Sequence, residues 1–170
     1  MTEPPLTVFF ADSMLGRLAR WLRILGYDTA YERVVPDRDV IDRVLRENRW
    51  LLTRDEDLAK RRVLRGRHTL LTSDALEEQL RQLARELSLD LAIDPHRASR
   101  CAECNLTLGP IPHEEAVRLV PAFVSGQQAA FTSCAGCGRI YWPGTHWSDL
   151  LARLKRFRGP APDSALVAGP

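Results

Sequence analysis

Short apolar runs alternate with stretches of helical periodicity along the first half of the chain. The first run contains Val8, Phe9 and Phe10 and stops at Asp12, which is typical of a buried strand. Apolar residues then recur at three- and four-residue spacing, at Leu15, Leu18, Ala19, Leu22 and Leu25. This spacing predicts an amphipathic helix that packs on the sheet. A neighbouring polar stripe of the same helix carries Arg17, Arg20 and Arg23.

The alternation continues to about residue 94. Apolar runs predict further strands at residues 27–31, 49–53 and 68–72. Three helices are predicted between and after these strands: one capped by Asp37 or Asp39 with Val40, Ile41, Val44 and Leu45 buried, a short basic one over residues 58–65, and one capped by Ser73 or Asp74. Strands that alternate with helices predict an α/β fold, with a mostly parallel sheet flanked by helices on both faces.

The pattern changes after residue 94. Prolines and glycines interrupt residues 95–145, which favours short strands joined by turns over long helices. Helical spacing returns at residues 147–158, and the last twelve residues have no apolar period. We therefore predict a first domain at residues 6–94, a small second domain with a closing helix at residues 95–158, and a disordered tail at residues 159–170.

Composition is that of an ordinary globular protein, with 45% hydrophobic and 27% charged residues in a chain of 170 and a net charge of +2. No window approaches eighteen consecutive apolar residues, and the start, Met-Thr-Glu-Pro-Pro, lacks the features of a signal peptide. We expect a cytoplasmic protein without a membrane segment. In that compartment thiols stay reduced, so cysteines bind metal more often than they pair.

Four cysteines form two Cys-x-x-Cys motifs, Cys101–Cys104 and Cys134–Cys137, separated by 29 residues. This is the ligand pattern of a zinc ribbon, and closed coordination by all four thiolates makes the zinc structural. A thioredoxin-like redox pair is the main alternative, but neither motif opens a helix after a strand. For His146, a hydrogen bond between packed tryptophans is favoured over a role as ligand or substrate contact.

Acids follow two of the predicted strands and open the helix between them. They are Asp12, Asp37 or Asp39, Asp55 and Asp57. Neighbouring parallel strands place their carboxyl ends on one edge of a sheet, where converging carboxylates favour Mg²⁺ or Mn²⁺. Arginines near this edge would hold a phosphodiester backbone: Arg17, Arg20, Arg54, Arg61 and Arg62. The alternative is structural, with the aspartates as helix caps and turn residues.

Several longer motifs resemble the Mut7-C family. They are the segments 10–28, 52–55, 100–105 and 134–147, which include Leu-Thr-Arg-Asp, Arg-Cys-Ala-Glu-Cys-Asn and Cys-Ala-Gly-Cys-Gly-Arg-Ile-Tyr-Trp-Pro-Gly-Thr-His-Trp. The resemblance covers about residues 7–155 and implies a PIN-like ribonuclease domain followed by a zinc ribbon. It also implies that Asp12, Asp37, Asp55 and Asp57 hold Mg²⁺ or Mn²⁺ for RNA hydrolysis, with Asp39 as the alternative to Asp37.

The resulting hypothesis is a divalent-metal-dependent endoribonuclease with RNA as its partner and a structural zinc ribbon that aids RNA binding. Two alternatives remain open at this point: a non-catalytic RNA-binding module, and a protein-interaction adaptor with a vestigial acidic site. The sequence does not specify the RNA, the catalytic metal or the oligomeric state.

Overall fold

A four-stranded parallel sheet forms the first part of the protein. The computed structural model describes residues 8–92, 99–127 and 130–142, together with residues 149 and 152. The strands of the sheet are β1 (Phe9–Ala11), β2 (Thr29–Tyr31), β3 (Trp50–Thr53) and β4 (His68–Leu70). Their order is β2-β1-β3-β4, with every neighbouring pair parallel. The predicted parallel sheet is therefore confirmed, with β1 and β3 adjacent.

Helices cover both faces of this sheet. They are α1 (Gly16–Ile24) after a 3-10 turn at Ser13–Leu15, α2 (Asp37–Arg46), α3 (Glu56–Ala59) followed by a 3-10 turn at Arg62–Leu64, and α4 (Leu76–Leu87). Phe9 and Leu52 pack with the apolar residues of α1 and α4, whereas Phe10 and Leu51 pack with those of α2 and α3. The alternation follows from the two-residue period of a strand.

Helix α1 confirms its predicted apolar face, because the five leucine and alanine positions that define it are buried. Its polar stripe was predicted incorrectly at one position. Arg17 and Arg20 are exposed, but Arg23 is only 5% exposed. Gly26 ends this helix with a φ of +90°, a conformation that glycine adopts without steric cost.

Four local predictions were wrong. Neither Asp37 nor Asp39 caps α2, which begins after Pro36, and no side chain caps α4, which begins after Ala75. Leu45 was expected to be buried but is 41% exposed, because α2 buries only a narrow stripe. The predicted helix over residues 58–65 is instead a four-residue helix and a 3-10 turn.

The second part is built from short elements, as the prolines and glycines predicted. An antiparallel sheet contains β5 (Gly109–Ile111), β6 (Phe131–Ser133) and β7 (Ile140–Tyr141) in that order. Two four-residue helices, α5 (His113–Ala116) and α6 (Ala122–Ser125), connect β5 to β6. These elements fill the long spacer between the two Cys-x-x-Cys motifs.

The two parts meet at the amino-terminal edge of the parallel sheet. The guanidinium of Arg23 donates to the carbonyls of Thr29, Ala102 and Glu103 at 2.8–2.9 Å. Asn105 accepts a hydrogen bond from the Thr29 amide at 2.9 Å and donates to Asp28 at 2.8 Å. The first cysteine motif is thus fixed to the start of β2 and the end of α1.

Some predictions lie outside the described residues. These are the domain boundary near residue 94, the role of His146, nearly all of the closing helix and the tail. Within the described segments, no helix combines the length and the apolar character that a membrane span requires.

Candidate functional site

The carboxyl-terminal edge of the parallel sheet collects the predicted acids. Asp12 follows β1 directly, and Asp55 lies two residues beyond β3, its hydrogen-bonded neighbour. Asp37 opens α2, which follows β2 on the other side of β1. This edge is where open α/β sheets bind ligands, because the connecting loops diverge there.

Asp12 is 8% exposed and is held by two hydroxyl groups. Ser13 Oγ donates to its Oδ1 at 3.0 Å, and Thr53 Oγ1 donates to its Oδ2 at 2.7 Å. Its side chain makes no helix-capping hydrogen bond. Each carboxylate oxygen has two lone pairs, so both oxygens retain an acceptor site for a cation or for water.

Asp55 serves as the N-cap of α3. Its Oδ1 accepts from the amides of Asp57 and Leu58 at 2.8 and 3.0 Å. Its own amide donates to Thr53 Oγ1 at 2.9 Å, so the Thr53 hydroxyl connects Asp12 with the segment that carries Asp55. Asp55 Oδ2 accepts no hydrogen bond from the described residues, which leaves this oxygen available as a ligand.

The remaining acids are more exposed. Asp57 lies 3.6 Å from Lys60 Nζ, and its side chain is 91% exposed. Asp37 and Asp39 are both exposed in the first turn of α2, and Asp39 lines a cleft along that helix together with Arg43. The predicted acids therefore share an edge of the sheet but differ widely in burial.

The acids do not form a compact cage. Among the described residues, the group of three or more metal-binding side chains whose ligand atoms lie within 4.8 Å of one another consists of the four cysteines. Mg²⁺ keeps several of its waters and is often held by one or two carboxylates plus substrate phosphates. The edge offers ligands of that kind, and Asp12 is the buried carboxylate among its described acids.

The two cysteine motifs have the same backbone geometry. The amides of Asn105 and Gly138 donate to the carbonyls of Cys101 and Cys134, both at 2.9 Å. Asn105 and Gly138 have φ values of +66° and +70°. Each motif is thus a tight turn that ends in the left-handed conformation, which Gly adopts freely and Asn tolerates.

The four sulfurs fit tetrahedral zinc. Cys101 Sγ and Cys137 Sγ are 3.7 Å apart, too far for a disulfide and close to the separation of about 3.8 Å that tetrahedral Zn–S bonds of about 2.3 Å require. Gly136 helps the second turn to approach the first, because a Cβ there would lie 2.7 Å from Leu106 Cδ1. The four cysteines could hold a structural zinc ion, which fits the predicted ribbon.

Ionisation of one thiol in this cluster opposes ionisation of its neighbours. Burial opposes ionisation of Cys101, yet hydrogen bonds from the Tyr141 hydroxyl, at 3.1 Å, and from the Cys104 amide lower its pKa to about 7. The sulfur of Cys137 and burial raise the pKa of Cys104 to about 12. A divalent cation can bind all four groups as thiolates, because its charge offsets their mutual repulsion.

Comparison with known proteins identifies the family. Residues 7–154 match the family described as the Mut7-C RNAse domain. The chain belongs to the Mut7-C family. No curated protein and no solved structure matches the chain. Family membership indicates a ribonuclease-type function and an RNA substrate, and it agrees with the resemblance found in the sequence.

The five predicted RNA-binding arginines of the Mut7-C chain lie in different surroundings. Arg17, Arg61 and Arg62 are exposed and Arg54 is half-buried at the end of β3. Arg20 is exposed but forms an ion pair with Glu103, in the first cysteine motif. Its contact thus joins the two parts of the Mut7-C chain, as that of Arg23 does.

Sequence reasoning missed two residues that contact the predicted site residues. Thr53 was interpreted as a strand residue only, although a hydroxyl at the last position of a strand, next to an acid-bearing neighbour strand, is a usable signal. Tyr141, which contacts Cys101, lies in β7 a few residues after the second cysteine motif. No local signal marks that contact, because it depends on how the two turns are folded together.

Proposed function

We propose that this protein is a divalent-metal-dependent endoribonuclease with a PIN-like active site at the carboxyl edge of the parallel sheet. The observation that carries the proposal is the environment of Asp12. This acid is buried at a strand end, next to the end of β3, and hydroxyl groups orient its carboxylate without using it as a helix cap. Because the chain belongs to a ribonuclease family, RNA is the expected substrate of this site.

The residues that would hold Mg²⁺ or Mn²⁺ are Asp12, through its remaining lone pairs, and Asp55, through Oδ2. Asp37 and Asp57 would act in the same site through metal-bound waters, because both are exposed at this edge. When bound, such an ion supplies a nucleophilic water and neutralises charge on the phosphate. Arg17, Arg54, Arg61 and Arg62 would hold neighbouring phosphates of the RNA.

The zinc ribbon has a separate part in this proposal. It is fixed to the amino edge of the sheet, opposite the acids, through Arg23 and Asn105. Its exposed Phe123, at 70% exposure, and Arg118 supply an aromatic face and a cation of the kind that single-stranded RNA binds. We also propose a cytoplasmic location, where the thiols stay available for zinc.

The decisive experiment measures cleavage of labelled RNA, single-stranded and structured, by zinc-loaded protein in Mn²⁺, Mg²⁺ or EDTA. A circular RNA separates endonucleolytic from exonucleolytic cutting, because it has no ends. We expect cutting that requires Mn²⁺ or Mg²⁺ and that is lost in Asp12→Asn and in Asp55→Asn. Asparagine is as good an N-cap as aspartate, so the second variant keeps α3.

Glu86→Gln is the matched control, because Glu86 is an exposed acid in the last turn of α4, the end of that helix remote from the carboxyl edge. Its cleavage rate should equal that of the unmodified protein. Cutting that survives in Asp12→Asn, in a variant with an unchanged melting temperature, would contradict the proposal.

A non-catalytic RNA-binding module is the second candidate. The capping role of Asp55 favours it, because two amide hydrogen bonds give that acid a structural function of its own. On this alternative, RNA binding falls steeply with salt but no metal produces cutting. An adaptor for other proteins would show neither property.

A further inference from the structure

The arginines of the first part divide by the edge of the sheet at which they lie. At the amino edge, Arg23 and Arg49 have polar partners. Arg49 Nη1 lies 2.6 Å from Asp28 in an ion pair, and the guanidinium of Arg23 donates hydrogen bonds to three carbonyls. At the carboxyl edge, arginines follow the ends of three neighbouring strands: Arg17, Arg33, Arg38 and Arg54. No side chain of these four makes a hydrogen bond or an ion pair with the described residues.

Two of these four residues lie in, or directly after, the connection between β2 and α2. Arg33 lies two residues after β2, and Arg38 lies in the first turn of α2, next to Asp37. Both are exposed, and neither pairs with the acid beside it or with Glu32, which is bonded to Arg43. Arginines that have no partner among the described residues are available to hold the phosphates of a polyanion beside the acids of this edge.

Apolar side chains are exposed in the same connections. Val34, between the two arginines, is 88% exposed, and Met14, two residues after Asp12, is 64% exposed. Cations that alternate with apolar groups match a ligand whose charged backbone alternates with flat bases. The β1–α1 and β2–α2 connections, together with the first turns of α1 and α2, therefore carry both kinds of group beside the buried carboxylate.

We propose that the β2–α2 connection and the first turn of α2 position the RNA, with Arg33 and Arg38 holding phosphates and Val34 in contact with a sugar or base. This inference rests on the proposed function, since it assigns further positioning residues to the same site. It extends the phosphate-binding surface across β2, away from Arg61 and Arg62. The strand of RNA then crosses the ends of β2, β1 and β3 and passes over Asp12.

Binding is measured first, in EDTA and in the Asp12→Asn background, by fluorescence anisotropy of a labelled RNA oligonucleotide at several salt concentrations. Arg33→Gln/Arg38→Gln should weaken binding by about tenfold. Its slope of log affinity against log salt should be smaller in magnitude by about 1.4, which corresponds to two lost phosphate contacts on a single strand. Arg33→Lys/Arg38→Lys should restore most of the slope.

The matched control is Arg46→Gln/Arg85→Gln, which removes the same charge from exposed positions at the amino-edge ends of α2 and α4. Its affinity and salt slope should stay close to those of the parent. Equal losses in both double variants would overturn the inference, because they would reflect net charge alone. Unchanged binding by Arg33→Gln/Arg38→Gln would overturn it as well.

Cleavage kinetics then separate this inference from the proposed function. In protein that retains Asp12, Arg33→Gln/Arg38→Gln should show a raised KM and a nearly unchanged kcat for RNA cleavage. Normal cleavage and normal binding by Arg33→Gln/Arg38→Gln would overturn the inference while the proposed function stands. If neither the parent protein nor its variants cleave RNA but the binding result holds, the proposed function fails. The β2–α2 connection then remains an RNA-positioning element.

Discussion

Thr53 Oγ1 donates a hydrogen bond of 2.7 Å to Asp12 Oδ2. Thr53 Oγ1 also accepts a hydrogen bond of 2.9 Å from the Asp55 amide. Thr53 is fully buried. Thr53→Val keeps the shape of the side chain but leaves the Asp12 oxygen and the Asp55 amide without this partner. We expect a loss of about 1–3 kcal/mol in the free energy of unfolding, measured in urea, and slower RNA cleavage.

Thr53→Ser is the control for this prediction, because it keeps the hydroxyl and removes one methyl group. It should retain most of the cleavage rate even where a small packing defect lowers stability. Equal cleavage rates in the valine and serine variants would show that the hydroxyl does not orient Asp12.

Arg23 is a buried cation that joins both parts of the chain. Burial lowers its pKa from the ordinary value, and nearby Cys101, Cys104 and Asp28 act in the opposite direction. Arg23→Met leaves the carbonyls of Thr29, Ala102 and Glu103 without their donor, and we expect a destabilisation of about 3 kcal/mol.

Thermal unfolding checks the Arg23 prediction. Arg17→Met is the matched control, since it replaces an exposed arginine of the same helix that makes no side-chain hydrogen bond with the described residues. Hydrogen exchange should become faster in β2 and in the first cysteine motif of the Arg23 variant. A melting temperature equal to that of Arg17→Met would contradict the role of Arg23 as a link.

Asp28 makes the contact between the parts sensitive to acid. Burial raises the pKa of this carboxyl, but hydrogen bonds from Arg49 and Asn105 outweigh it and hold the pKa below the ordinary value of 3.8. A carboxylate whose folded pKa is lowered stabilises the fold above its unfolded pKa, and this stability is lost as pH falls through the folded value. We therefore expect stability to decline below about pH 4.

Asp28→Asn should remove that part of the acid dependence, because an amide does not titrate. The measurement is urea unfolding at a series of pH values from neutral to strongly acidic. Identical pH profiles for the variant and the parent would show that Asp28 does not contribute to the acid sensitivity.

Metal analysis tests the zinc site. We expect one zinc ion per chain and its loss in Cys104→Ser, because structural sites use all four thiolates. Chelation should lower the melting temperature, and zinc binding should contribute on the order of 10 kcal/mol of apparent folding free energy to the ribbon. Ser133→Ala, next to the second motif, is a control that should keep its zinc. A zinc-free protein with an unchanged melting temperature would contradict the prediction.

Much of the fold follows from local patterns. The two-residue alternation of Phe9 and Phe10 determines which face of the sheet each residue covers, and the leucine spacing determines the buried face of α1. The cysteine motifs predict a metal site because ligand spacing within a tight turn is local. Elements such as the segment at residues 58–65 were predicted poorly, since short helices depend on their contacts more than on propensity.

Local patterns in the sequence specify the parallel α/β fold, the family and the two Cys-x-x-Cys motifs, because periodicity and motif spacing act over a few residues. Three further features depend on tertiary structure: the burial of Arg23 at the contact between the parts, the hydrogen bond from Thr53 to Asp12, and the position of the first cysteine motif at the edge opposite the acids. Those relationships join residues 41 and about 80 positions apart, and their partners are selected by the packing of whole elements.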